Sequence, residues 1–147
     1  MDKNMEQAIE EAREGIRAGH GGPFGCVIVR DGEIVGRGHN EVIKQQDPTC
    51  HGEIMAIRSA CSNLGTFDLS GCELYTTAEP CPMCRGAALW ANIARIYYGC
   101  TIRDTDAIGF RDQVFYNMTE SNAEELDREE CLKVFEEYEN LAGKTPY

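Results

Sequence analysis

Two short motifs, His51-Gly52-Glu53 and Cys81-Pro82-Met83-Cys84, start 30 residues apart, and each falls at a predicted helix start. At a helix start, orphan backbone N–H groups and the positive end of the dipole favour thiolate over thiol, the form a metal binds. One His and two Cys supply three ligands for a tetrahedral zinc that keeps its fourth position for water. Three ligands signal catalysis, where four would signal a structural site. Glu53 adds a carboxylate to take that water's proton and hand it on. Residues two apart do not share a helix face, so His51 and Glu53 must both sit at the entering edge of the helix. The expectation is one Zn2+ per chain on His51, Cys81 and Cys84, with Glu53 as the proton carrier.

The rest of the composition narrows the class around that site. The 147 residues suit a single domain able to bury roughly two-thirds of its unfolded surface. An apolar share of 42% and a charged share of 27% exclude a disordered or fibrous chain. Fourteen Lys and Arg against 25 Asp and Glu leave a net charge of −11, which gives a nucleic-acid partner no electrostatic help. The acidic, helix-patterned first fifteen residues do not resemble a targeting leader, and no eighteen apolar residues run together, so a cytoplasmic chain without membrane contact is expected. Eight cysteines are too sparse for a small disulfide scaffold, so in a reducing compartment they are read as thiols or ligands.

Apolar spacing predicts an amphipathic helix over residues 4–18, with Asn4 as N-cap, Met5, Ala8, Ile9, Ala12 and Ile16 inward, and Gly19 as its stop. Phe24 to Val29, the Asp31-Gly32 turn and Glu33 to Gly38 read as a hairpin. A polar loop over 40–50 leads into a helix from about His51, its buried face formed by Ile54, Ala56, Ile57, Ala60 and Cys61. Cys72 to Thr76 reads as a buried strand, a third helix runs through Ala88 and Trp90, and Ala94 to Cys100 is an apolar strand. This alternation predicts an α/β layer with some parallel pairing. Residues 101–121 carry no clear pattern, and Glu124 to Asn140 reads as an acidic helix before a tail.

Other residues receive plainer readings. Cys26, Cys61, Cys72 and Cys100 are expected as small buried hydrophobes, Cys50 and Cys131 as thiols, His20 as a loop residue and His39 as a strand-end residue. The Asn117-Met118-Thr119 glycosylation triplet is accidental in a cytosolic chain. Two non-deaminase classes stay open: a structural zinc module with Cys50 as fourth ligand, and a thiol-disulfide oxidoreductase that would leave His51 and Glu53 idle.

The order H-x-E then P-C-x-x-C, met by His51, Glu53, Pro80, Cys81 and Cys84, resembles the signature of zinc deaminases acting on nucleobases. The chain resembles the cytidine-deaminase-like superfamily from the first helix through the last predicted strand, and the bacterial guanine deaminases nearly end to end. The segments that carry this are Gly21-Gly-Pro-Phe-Gly25, His39-Asn40, Asp47-Pro48-Thr49, Thr77 to Cys84, Asp106 to Phe110 with Asp112, and the tail residues Phe135, Tyr138, Asn140, Lys144 and Tyr147. The resemblance implies an α/β fold, a three-layer α-β-α sandwich with a mixed central sheet. It implies hydrolysis of guanine to xanthine and ammonia, Asn40 holding the substrate ring, and Asp112 at the guanine amino edge as a second catalytic group. Phe24, Trp90 and Tyr147 become aromatic walls of the base site. It also implies a homodimer in which residues from about 120 cross to the partner. Gly52, in place of the usual Ala, and Arg111 beside Asp112 depart from the guanine-deaminase pattern; Gly52 keeps cytosine as the first alternative substrate, with guanosine and tRNA adenosine behind it. Arg111 is expected to favour the Asp112 carboxylate.

Overall fold

Asp2, rather than Asn4, caps the first helix of the computed structural model, which describes residues 1–119 and 122–147. The Asp2 carboxylate accepts the backbone N–H groups of Asn4 and Met5 at 2.8 and 3.0 Å, satisfying two orphan donors of α1 (Lys3–Arg17). The inward face of α1 is built from Asn4, Ala8, Ala12 and Gly15, and Ile16 faces solvent. Gly15 takes the inward place because a Cβ there would stand 2.8 Å from the His39 ring.

The hairpin forms as expected, with β1 (Gly25–Arg30) antiparallel to β2 (Glu33–His39) across the Asp31-Gly32 turn, both turn residues at positive φ. A short α2 (Val42–Gln45) occupies part of the polar loop and leads to α3 (Gly52–Leu64). Then follow β3 (Glu73–Ala78), α4 (Pro82–Trp90) and β4 (Arg95–Cys100). The sheet order is β2-β1-β3-β4, antiparallel except for the β3–β4 pair, whose parallel register is made possible by the α4 crossover. Residues 101–117 form α5 (Ile102–Ala107) and α6 (Asp112–Tyr116), helices too short to leave a period in the sequence.

The sheet is covered on both faces, which makes the three layers. Along β1, Val27 and Val29 pack with Ala8 of α1, while Cys26 and Ile28 face the opposite way onto Ala56 and Ala60 of α3 and Ala88 of α4. The helix–sheet approach on the second face is close because β2 carries Gly36 and Gly38. A Cβ at Gly36 would stand 2.6 Å from the Ala56 carbonyl oxygen, a backbone atom that cannot swing aside. The apolar strand β4 is the sheet edge, where Tyr97, Tyr98 and Cys100 are exposed, so Cys100 is not the buried residue expected. Among the described residues no helix is long and apolar enough to cross a membrane.

The chain divides into two compact units, Met1–Asn117 and Met118–Tyr147. The second contains α7 (Arg128–Glu139), where Cys131, Val134, Phe135 and Tyr138 recur at helical spacing and no residue is buried. The boundary at Glu120 expected for an exchanged segment lies outside the described residues. Gly36→Ala is expected to lower stability by about 1–3 kcal/mol by pushing α3 off β2, measured as a lower midpoint in denaturant.

Candidate active site

Local turn chemistry delivers both helix starts to one place. The Asp47 carboxylate accepts the Thr49 N–H and hydroxyl at 2.8 and 2.7 Å, an Asx turn that bends the chain ahead of α3. His51 is the N-cap of α3 in extended conformation, and Glu53 follows in the first turn, which meets the requirement that both sit at the entering edge. Cys81 is likewise the N-cap of α4, with Pro82 at its first position and Cys84 one turn in. Gly52 has no side chain to hold the start of α3 away from β1, since a Cβ there would stand 2.9 Å from the Phe24 carbonyl oxygen.

The ligand atoms of His51, Cys81 and Cys84 lie within 4.8 Å of one another. His51 Nδ1 and Cys81 Sγ are 3.6 Å apart. A tetrahedral zinc at its usual bond lengths holds a nitrogen and a sulfur about 3.6 Å apart, so the residues fit that ion. Hydrogen bonding from Cys84 and from His51 pulls the Cys81 thiol down to about 4, and the same bond to Cys81, with burial, pushes Cys84 well up. His51 is raised, chiefly by its hydrogen bond to Cys81. Cys50 is buried outside this group, with Arg58 Nη1 3.8 Å from its sulfur, so it does not complete a fourth ligand. All eight cysteines are unbridged.

Glu53 is buried beneath the ligands, and burial pushes its carboxyl above the usual range. The buried Thr76 hydroxyl lies 3.3 Å from Glu53 Oε1 and 3.2 Å from the Ala78 carbonyl oxygen, fixing the carboxylate against β3. The ligands and Glu53 open onto a cavity of about 510 Å³. Asn40 lies on its wall, where its Oδ1 accepts the Val42 N–H at 3.1 Å, which orients the side chain. Phe24 meets Phe110 edge to face at 4.9 Å between ring centres, and both line the cavity. The Thr77 hydroxyl accepts the Gly25 N–H at 3.1 Å and donates to the Pro23 carbonyl at 3.3 Å, which holds the Phe24 segment on β3. Asp112, at the first position of α6, faces the same cavity, and the Tyr116 hydroxyl anchors that helix by donating to the Pro80 carbonyl.

Two expectations change here. Trp90 ends α4 71% exposed and is not among the cavity residues. It lies two turns beyond Cys84, past the helix end that faces the site. Asp112 is shifted up, by burial and then by the Cys81 charge, rather than down by Arg111, whose guanidinium stacks over Phe115 at 5.6 Å. Tyr147, the remaining aromatic candidate, belongs to the second unit, where it lies with Tyr138, Lys144, Thr145 and Pro146 around a separate pocket. The cavity residues Phe110, Phe115 and Glu79 had no assigned role in the sequence reading. Glu79 Oε2 accepts the Ile102 N–H at 3.0 Å and so fastens α5 to the end of β3.

Residues 1–100 match the cytidine and deoxycytidylate deaminase zinc-binding region. The chain belongs to this deaminase family. As a member of that family it carries its zinc site on His51, Cys81 and Cys84. The chain is similar to the guanine deaminase of Bacillus subtilis, 42% identical over 97% of this chain and 96% of that protein. The crystal structure of that enzyme superposes with a TM-score of 0.92 at 40% identity, covering 100% of this chain and 99% of the other. A guanine deaminase from Nitrosomonas europaea is also similar, with a TM-score of 0.71 at 32% identity over 81% of this chain and 66% of that one. The tRNA-specific adenosine deaminase of Aquifex aeolicus is 42% identical over 64% of this chain and 62% of its own length.

Cys84→Ser is expected to lose zinc from this deaminase site, whereas Cys50→Ala keeps one ion per chain. Elemental analysis of the two purified variants checks both outcomes.

Proposed function

We propose that the chain is a zinc-dependent hydrolase that deaminates guanine, with water, to xanthine and ammonia. The observation that carries this reading is that Asn40, Glu53 and Asp112 face one cavity with the three zinc ligands. Near-full-length similarity to the B. subtilis guanine deaminase supports guanine over the other bases.

The aromatic faces of Phe24, Phe110 and Phe115 suit a flat purine, and the polar groups stand where a base offers its edges. Asn40 Nδ2 donates to a ring acceptor, and Asp112 receives the amino edge. Bound zinc would supply the lowered water pKa that makes water a nucleophile at neutral pH. Glu53 accepts a proton from the attacking water and delivers it to the ring nitrogen, then takes the second proton from the added hydroxyl and delivers it to the departing amino nitrogen. The new C–O bond replaces the C–N bond, and ammonia carries the proton away. A carboxyl raised by burial is matched to both taking and returning that proton.

The reading extends to a homodimer in which the second unit of each chain serves the site of its partner, with Tyr147 as an added aromatic wall. The unburied apolar stripe on α7 supports this, because a helix with that spacing gains its stability from a surface that covers it.

Ammonia release from the zinc-loaded protein against guanine, cytosine, guanosine, adenine and ammeline tests the substrate. Guanine is expected to react fastest, and turnover of another base alone would overturn the choice. Glu53→Ala is expected to keep zinc and lose about 10²–10⁴ in kcat. Truncation after Glu120 is expected to abolish turnover while leaving zinc bound. Unchanged turnover of the shortened chain would sink the exchanged-segment reading.

A further inference from the structure

Behind the Asn40 wall lies a second group of metal-ligating side chains that the deaminase chemistry does not use. His20 Nδ1 is 2.8 Å from His39 Nε2, and Glu41 Oε1 is 3.9 Å from the same His39 nitrogen. The three ligand atoms lie within 4.8 Å of one another. On the far side of the ring, His39 Nδ1 is 3.1 Å from Glu11 Oε2. A carboxylate at Nδ1 keeps the proton on that nitrogen and leaves the Nε2 lone pair aimed at His20 and Glu41, the arrangement that orients metal-binding histidines.

Two imidazole nitrogens this close require a proton or a metal ion between them. Ligand atoms on one tetrahedral ion at usual bond lengths stand about 3.3 Å apart. The observed 2.8 and 3.9 Å lie on either side of that value, so movements of about half an ångström complete the geometry. The side chains of His39 and Glu41 are only 13% and 12% exposed, yet a surface cavity of about 500 Å³, lined by Glu11, His39 and Glu41 together with Arg37 and Arg58, gives an ion access. Gly15 leaves room for the His39 ring. Two groups compete for Glu41: Lys44 Nζ at 3.1 Å from Oε1 and Gln45 Nε2 at 3.0 Å from Oε2. The Lys44 side chain is 48% exposed and can return to solvent when a cation arrives.

We propose that His20, His39 and Glu41 form a second site for a divalent transition-metal ion of the zinc class, separate from the catalytic zinc, with Glu11 orienting His39. The site does not depend on which base is the substrate. His20 immediately precedes Gly21, and His39 immediately precedes Asn40, both on the cavity wall. An ion held by both histidines ties the loop before β1 to the end of β2 and stiffens that wall.

The test titrates the full chain, already carrying one zinc, with Co2+. The wild type is expected to take up a second ion per chain at micromolar cobalt, seen by elemental analysis. It should show a cobalt d–d spectrum without the thiolate charge-transfer band that marks the cysteine site. His20→Ala is expected to weaken the second ion at least tenfold while keeping the first. Glu41→Gln, which preserves side-chain size, gives the same reading if the alanine variant folds poorly. A wild type that stops at one ion, or variants that bind the second ion as tightly as the wild type, would overturn the proposal.

Discussion

The convergence of two helix N-termini on one point organises this molecule. α3 and α4 both begin at the metal centre, so their unpaired N–H groups and dipole ends face the two thiols and the His51–Glu53 pair. Holding two positive helix ends that close together requires a rigid support beneath them. The sheet supplies it: β3 leads through Pro80 into α4, and α3 lies across β1 and β2 on a surface made flat by Gly36 and Gly38. The 3.6 Å spacing between His51 and Cys81 is therefore a consequence of helix–sheet packing as much as of the ligands themselves.

Around that fixed centre, the far wall of the cavity is assembled from segments with little regular structure. Phe24 comes from the approach to β1, Asn40 from the end of β2, and Phe110, Asp112 and Phe115 from the short helices after β4. Hydrogen bonds hold these segments in place: Gly25 N–H to Thr77 on β3, Asn40 N–H to the Phe24 carbonyl, and the Tyr116 hydroxyl to the Pro80 carbonyl. The family's zinc site thus sits on the scaffold, and the rest of the cavity wall sits on what the scaffold holds.

The metal centre was legible in the chain because it is written in two local motifs, each at a helix start with its own turn signals. The layer pattern was legible as well, since β1 is continuously apolar and α3 repeats at helical spacing. The misses share a physical cause. Asn4 looks like a cap, but Asp2 reaches the free N–H groups first. Trp90 looks like a wall by chemistry, yet its place on α4 carries it away from the cavity. α5 and α6 are too short to show a period, so the aromatic residues they contribute could not be placed.

Sequence alone determined the zinc ligand set, the helices that present it and the mixed α/β layering, because each is written in short motifs and local periodicities. Tertiary structure decided which aromatics enclose the cavity, that Cys50 stays outside the metal group, that burial rather than Arg111 governs Asp112, and that His20 meets His39. Those outcomes depend on distances between segments far apart in the chain, and such distances are set by packing against the sheet, which no local pattern encodes.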